Sequence, residues 1–257
     1  MKTLKVVKIG GNIIDDNKAL SAFVAAFAKL ESPKVLVHGG GKLATRMAKQ
    51  MSVPVQMVDG RRITNAETLD IITMVYAGKI NKGIVAKLQK RGCNAIGLTG
   101  ADGNSIISHK REVKAIDYGF VGDVDKVNSE VITVLLENNV TPVFCAITHD
   151  KNGQLLNTNA DTIASELAIG LSNLFEVQLY YCFEKSGVLK DLNNNDSVVT
   201  DINQTNYQEL KEKGVIADGM IPKLDNCFHA IKNGVRKVCI GKQEMLFNKD
   251  IKFTTVQ

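Results

Sequence analysis

Two apolar runs, each closing in a glycine turn and then entering a helical pattern, constrain this chain more than any other feature. The second is the clearer. Val35, Leu36 and Val37 form a continuous apolar run, the pattern of a strand buried on both faces of a parallel sheet. Gly39, Gly40 and Gly41 follow at once, and residues 42–50 are helix-compatible. Strand, glycines and helix in that order present bare backbone N–H groups to an anion, with the helix dipole behind them. The plainer alternative is a tight strand-to-helix turn, but three successive glycines cost backbone entropy on folding. The first run, Leu4-Lys-Val-Val-Lys-Ile9, closes in Gly10-Gly11 with Lys8 near its C-terminal end. Two parallel strands side by side would put both glycine turns on one sheet edge, where ligands of open α/β sheets bind.

The rest of the chain alternates in the same way. Leu20, Phe23, Val24, Phe27 and Leu30 follow helical spacing behind a cap at Asp15 or Asp16,. Thr64-Asn-Ala-Glu67 reads as a capping box for a long helix with Leu69, Ile72, Tyr76, Ile80, Ile84 and Leu88 on one stripe, ended by Gly92,. Residues 93–98, 140–147, 177–183 and 236–240 read as further strands. Residues 104–127 are short, charged and alternating, which suits a β-hairpin excursion. Helices are expected over 128–138, with Val131, Val134 and Leu135 inward, after Asp161 with Ile163, Leu167 and Leu171 inward, over 208–213 and over 221–232. Residues 190–206 are rich in Asn and Asp and read as an exposed loop. The class is therefore α/β with a mainly parallel sheet. A soft division near residue 175 separates two lobes of one domain spanning 1–257.

Bulk properties exclude several functions. The 257 residues carry a net charge of +5 with no Lys/Arg run interleaved with aromatics, and Trp is absent, so no nucleic-acid track is expected. No apolar run approaches the ~20 residues that span a membrane. The five cysteines form no CxxC pair and sit in apolar runs, as small core residues in a reducing compartment. With no signal peptide before the first strand, a cytoplasmic location is expected.

A Walker A loop is absent. The dinucleotide fingerprint GxGxxG/A is met by Gly39, Gly41 and Ala44, with Asp59 near the expected acidic position, but a glycine run satisfies it easily. It leaves Lys8 and the first glycine turn unexplained. A lysine breaking an apolar strand at the sheet's carboxyl edge is either snorkelling or aimed at a site. Two backbone-lined turns and a fixed cation suit phosphoryl transfer. Arg62 lies in a glycine-containing loop and suits a bidentate grip on a carboxylate. Asn157 and Asn159 could donate amides to another carboxylate or bond locally as turn and N-cap residues. Asp161 falls in the first turn of a helix. Lys223 follows Asp218-Gly-Met-Ile-Pro222 at a helix entry, where Pro222 fits the first turn,. The four histidines have no metal-ligand spacing,, and no metal site or catalytic histidine is expected.

Lys8-Ile-Gly-Gly11, His38-Gly-Gly-Gly41, Asp59-Gly-Arg-Arg-Ile-Thr64, Gly119-Phe-Val-Gly-Asp-Val124, Asn157-Thr-Asn-Ala-Asp161 and Asp218-Gly-Met-Ile-Pro-Lys223 together resemble the acetylglutamate kinases of the amino acid kinase family. The resemblance implies a three-layer αβα sandwich with a mainly parallel central sheet. It implies transfer of the ATP γ-phosphate to the γ-carboxylate of N-acetyl-L-glutamate, with Mg²⁺ carried by ATP. By that similarity Lys8 and Lys223 stabilise the transferring phosphoryl group and Asp161 orients them. Gly10, Gly11 and Gly39 contact phosphate, while Gly40, Gly41, Arg62 and Asn157 hold the acylated glutamate. Residues 1–174 would bind the acyl-amino acid and 175–257 the nucleotide.

Two departures stand out. Phe183-Glu184 replaces the family's usual Thr-Asp or Ser-Asp pair in the nucleotide loop. The chain also starts directly at the first strand, without the extra N-terminal helix of arginine-inhibited hexamers, so a homodimer without arginine feedback is expected. Other readings of the residues are the same chemistry on N-succinyl-L-glutamate, a nicotinamide oxidoreductase built on Gly39, Gly41, Ala44 and Asp59, and a non-catalytic amino-acid sensor.

Overall fold

The computed structural model describes every residue except Ser32, Asp59, Leu192, residues 217–219 and Lys249. Asp59, the acid of the dinucleotide reading, and Asp218 and Gly219, which open the last motif, lie outside the described residues. In chain order the strands are β1 (Thr3–Ile9), β2 (Lys34–His38), β3 (Met57–Val58), β4 (Arg61–Arg62), β5 (Ala95–Leu98), β6 (Ile106–Lys110) and β7 (Gly122–Val127), followed by β8 (Thr141–Cys145), β9 (Ile147–His149), β10 (Leu155–Asn157), β11 (Glu176–Cys182), β12 (Asp201–Ile202), β13 (Lys237–Gly241) and β14 (Thr254–Val256). The helices are α1 (Gly11–Asp15), α2 (Asn17–Ala28), α3 (Gly41–Gln50), α4 (Ala66–Thr73), α5 (Asn81–Gln89), α6 (Ser129–Glu137), α7 (Ala160–Leu171), α8 (Gln204–Glu212) and α9 (Ile221–Lys232).

Eight strands form one sheet in the order β12-β14-β13-β11-β1-β2-β8-β5. Every pairing in it is parallel except β13 with β14. β1 is central, flanked by β11 and β2, and every residue of β2 is buried. Helices cover both faces, and β1 gives the proof. Thr3 and Lys5 line a groove with Ala22, Ala25 and Ala26 of α2, whereas Lys8 reaches Asp161 of α7. Residues of opposite parity point to opposite faces of a strand, so α2 and α7 sandwich the sheet. Phe23, Val24 and Phe27 of α2 and Ile163, Leu167 and Leu171 of α7 are all 0% exposed. Each such side chain contributes about 1.5–3 kcal/mol by leaving water.

Some expectations shift. Asn65, not Thr64, caps α4, its side chain accepting from Thr68 N. Thr64 is drawn into a strand-like bridge, bonding Tyr118 and Phe120 through its backbone. The buried residues of α6 are Ile132 and Leu136, Leu135 packs against the core as expected, and Val134 is 54% exposed. α8 starts earlier than expected because Asn203 and Asn206 form a capping box. The 190–206 loop ends in β12, and β14 carries no sequence signal that alternation could reveal. The excursion at 104–127 is present as β6 and β7, antiparallel in a separate four-stranded sheet β10-β9-β6-β7.

The long helix after Thr64 is interrupted by π-helical turns over Met74–Ile80. Its buried stripe explains this. Ile72, Tyr76, Ile80, Ile84 and Leu88 are spaced by four, and all are buried. In an α-helix of 3.6 residues per turn, steps of four drift by ~40° each. The wider π turns cancel that drift and keep the stripe on the core.

Candidate active site

β1 and β2 end side by side, Lys8 opposite Val37 and Ile9 opposite His38, so both glycine turns lie at the same carboxyl edge. Gly10 is the N-cap of α1 and Gly40 that of α3. Gly40 has φ +159°, and a Cβ there would overlap Ile80 Cδ1 and press on the Tyr76 ring. The turn therefore lies directly against the π-helical segment. Gly39 faces Ala160 of α7 across 3.8 Å, measured from an ideal Cβ position, which brings the second turn to the start of the helix bearing Asp161. Lys42 Nζ donates to Asn12 Oδ1 and ties the two turns together.

Asp161 sits in the first turn of α7, which Asn159 caps by accepting from Asp161 N (2.7 Å) and Thr162 N (3.4 Å). Asn159 is therefore occupied as a cap. Lys8 Nζ lies 2.7 Å from Asp161 Oδ1 and Lys223 Nζ 2.5 Å from Oδ2. The two lysines come from β1 and from the first turn of α9, and their side chains remain 16% and 21% exposed, enough to meet a ligand. Burial alone would push the Asp161 carboxyl up. The Lys8 and Lys223 ammoniums outweigh it and hold the group well below the usual carboxylate range,. Two ammoniums on one carboxylate leave a local excess of positive charge facing the glycine turns, which suits a polyphosphate.

The other half of the site lies around Gly41. Arg62 is 8% exposed, and its Nη2 donates to Gly41 O (3.0 Å) and Thr45 Oγ1 (2.7 Å). Asn157 Nδ2 donates to Thr64 Oγ1 (3.0 Å), which donates to Arg62 O (3.2 Å). Backbone bridges from Thr64 to Gly119 and from Val121 to Asn157 bind these segments into one wall. Lys8, Asp161, Lys223, Gly10, Gly11 and Gly39 thus gather at one end, and Gly40, Gly41, Arg62 and Asn157 at the other.

His38 is fully buried behind the second turn. Its Nδ1 faces Gly39 O (2.8 Å), so Nδ1–H is the donor, and its Nε2 accepts from Asn81 Nδ2 (3.1 Å), which also donates to Val143 O. Burial pulls its pKa down to about 4, against the small upward pull of the Gly39 carbonyl. It is a neutral brace behind the second turn. Asn81, Thr45, Tyr76 and Tyr181 were missed by sequence reasoning. Tyr76 lies on the helical stripe and reads as core, and Tyr181 is one of two adjacent aromatics in a buried strand.

The amino acid kinase family model matches residues 3–242.

The chain belongs to the amino acid kinase family.

Within that family it is 58% identical over 247 residues to a protein of Cytophaga hutchinsonii named acetylglutamate kinase, covering 96% of this chain and 94% of that one. It is 54% identical over 237 residues to a Bacteroides fragilis protein of the same name, covering 92% and 91%. Among solved structures, smu.665 from Streptococcus mutans aligns with a TM-score of 0.80 at 27% identity, covering 99% of this chain and 98% of that one. A Giardia lamblia carbamate kinase bound to AMP-PNP aligns with a TM-score of 0.71 at 15% identity, covering 99% and 98%, a likeness of fold.

Proposed function

We propose that the chain transfers the γ-phosphoryl group of ATP to the γ-carboxylate of N-acetyl-L-glutamate, giving N-acetyl-L-glutamyl 5-phosphate in arginine biosynthesis. The observation that carries this reading is the Lys8–Asp161–Lys223 ion-pair set beside two glycine turns, in a chain 58% identical to a protein named acetylglutamate kinase. A carboxylate oxygen of the substrate attacks the γ-phosphorus. The bond to the β–γ bridging oxygen breaks, and ADP leaves with the electron pair. No proton moves, so no general base is needed, which agrees with an ionised Asp161 and a tied, neutral His38. Positioning and charge stabilisation supply the catalysis.

In this reading Lys8 and Lys223 neutralise charge on the transferring group from two sides, and Asp161 sets their spacing. N–H groups at Gly10, Gly11 and Gly39 serve the phosphates. Gly40, Gly41, Arg62 and Asn157 hold the acylated glutamate. Among the described residues no three acidic, histidine or cysteine side chains cluster, and Asp161 is already held by two ammoniums. In this reading Mg²⁺ is carried by the ATP oxygens. The nucleoside end falls to the 175–257 half and the acyl-amino acid to 1–174. A homodimer without arginine inhibition belongs to the same reading.

A second reading keeps the chemistry and changes the acyl group. A cavity of about 430 Å³ is lined by Arg61, His109, Arg111 and Lys114 together with Glu112 and Asp123, and Arg111 is already paired with Asp123. Arg61 and Lys114 are the cations there that could meet the extra carboxylate of N-succinyl-L-glutamate, against the opposing charge of Glu112. A hydroxylamine-trapping assay with Mg-ATP and N-acetyl-L-glutamate, N-succinyl-L-glutamate or free glutamate decides. Hydroxamate from the acetyl compound supports the first reading, and a succinyl preference moves the substrate. No product from any of the three refutes both and revives a non-catalytic sensor.

A further inference from the structure

Tyr181 is the residue on which the three charged groups converge. In the parallel pairing of β1 with β11 it stands directly opposite Lys8. Paired residues in a sheet point to the same face, so Tyr181 and Lys8 share the α7 side. The Lys223 ammonium lies 5.0 Å from the centroid of the Tyr181 ring, within cation–π range. The Tyr181 hydroxyl donates to the backbone carbonyl of Asp161 at 3.0 Å. The side chain is 1% exposed, so the ring face is a fixed surface that water does not compete for.

These contacts divide the work of holding Lys223. Asp161 Oδ2 fixes its distance from one side, and the ring carries the ammonium from another. A lysine has four rotatable bonds and loses rotamer freedom when held. Lys223 enters at the first turn of α9, and the ring anchors it to the central sheet. A leucine or valine, the usual filler of such a buried strand, would supply bulk without a π face.

We propose that Tyr181 is a positioning residue for phosphoryl transfer, its ring seating the Lys223 ammonium and its hydroxyl fixing the α7 turn that carries Asp161. The proposal rests on the kinase reading above.

The test compares Tyr181→Phe, Tyr181→Leu and Lys223→Ala, singly and with Tyr181→Leu and Lys223→Ala combined, in the hydroxylamine assay. Both Tyr181 variants lose the hydroxyl, and only leucine loses the ring. Tyr181→Phe is expected to lower kcat by about fivefold or less, and Tyr181→Leu by about tenfold more than phenylalanine, with the KM for the acyl-glutamate little changed. A residue acting through Lys223 gives non-additive losses. In the Lys223→Ala background, Tyr181→Leu should then cost no more than the loss of the hydroxyl alone, about fivefold or less. A purely structural role would give additive losses, and equal kcat for the phenylalanine and leucine variants would equally overturn the proposal. If the leucine variant does not fold, graded fluorination of phenylalanine at 181 keeps the shape and drains the π face. Falling kcat with each fluorine supports the proposal, and a flat series refutes it. Wild-type protein forming no hydroxamate would refute the kinase reading itself, a separate outcome.

Discussion

Replacing Asp161 by Asn removes one charge and little volume, and its effects follow from the geometry. In the wild type, ammoniums lie 2.7 and 2.5 Å from the two carboxylate oxygens. Unit charges about 4 Å apart interact by about 4 kcal/mol at an effective dielectric of 20. The variant loses two such attractions and leaves two ammoniums repelling each other across a neutral amide. Catalysis should fall by roughly 10²–10³, the usual loss for one preorganised electrostatic element. The variant should lose kcat more than substrate affinity, because Arg62 and Asn157 are untouched. Stability gives an independent readout. Asp161 is held below its unfolded value of about 3.9,. As pH falls through that unfolded value, the unfolded chain takes up a proton that the folded chain does not. Asp161 thus contributes stability above about pH 4 and loses it as pH falls towards its depressed folded value. The wild type's stability should therefore fall faster than the variant's below pH 4, by up to about 1.4 kcal/mol per pH unit. Urea unfolding of both proteins between pH 2.5 and 6 measures this difference. Parallel curves, or a variant with wild-type kcat, would refute the electrostatic account of Asp161.

Gly40→Ala places a methyl on Ile80 and the Tyr76 ring, and should cost about 1–3 kcal/mol in urea unfolding with a raised KM for the acyl-glutamate. Arg62→Lys keeps the charge but loses the planar fork, so KM should rise by at least about tenfold with kcat less affected. Because burial holds His38 near 4, its imidazole should stay neutral across the assay range, with a nitrogen-15 NMR titration midpoint near that value and the proton on Nδ1. Its sign is fixed too. The unfolded imidazole protonates near 6.5, so stability falls as pH drops from about 6.5 towards 4, and His38→Asn should remove that slope.

The sequence made the sheet and the edge carrying the site legible because their signals are local. β1 and β2 are short apolar runs stopped by glycines, and Asp161 and Lys223 each fall in a helix's first turn. What it hid depends on contacts between distant segments. Thr64 looked like a cap because Glu67 follows at the right spacing, yet a bridge to Gly119, fifty-odd residues on, takes its backbone. On α6, Leu135 packs against the core as expected, but Val134 is exposed and Ile132 and Leu136 are the fully inward residues, because all of these side chains are similarly apolar. The π turns were written in the every-fourth spacing of the stripe, but a straight helix satisfies the same residues at first sight. Tyr181 could be read as core from its strand. Its use appears once β11 is placed beside β1 and Lys223 is brought over from α9.

That placement has a consequence for how the protein comes into being. Lys8 precedes Asp161 by 153 residues in the chain, and Lys223 follows Asp161 by 62. β1, although first, becomes a middle strand when β11 arrives about 170 residues later. A nascent chain still short of α9 can close neither the charge set nor the sheet around it. Such pairings over long sequence separation also form slowly. The charge set therefore closes only once α9 has been made, and a chain cut before α9 lacks its third member.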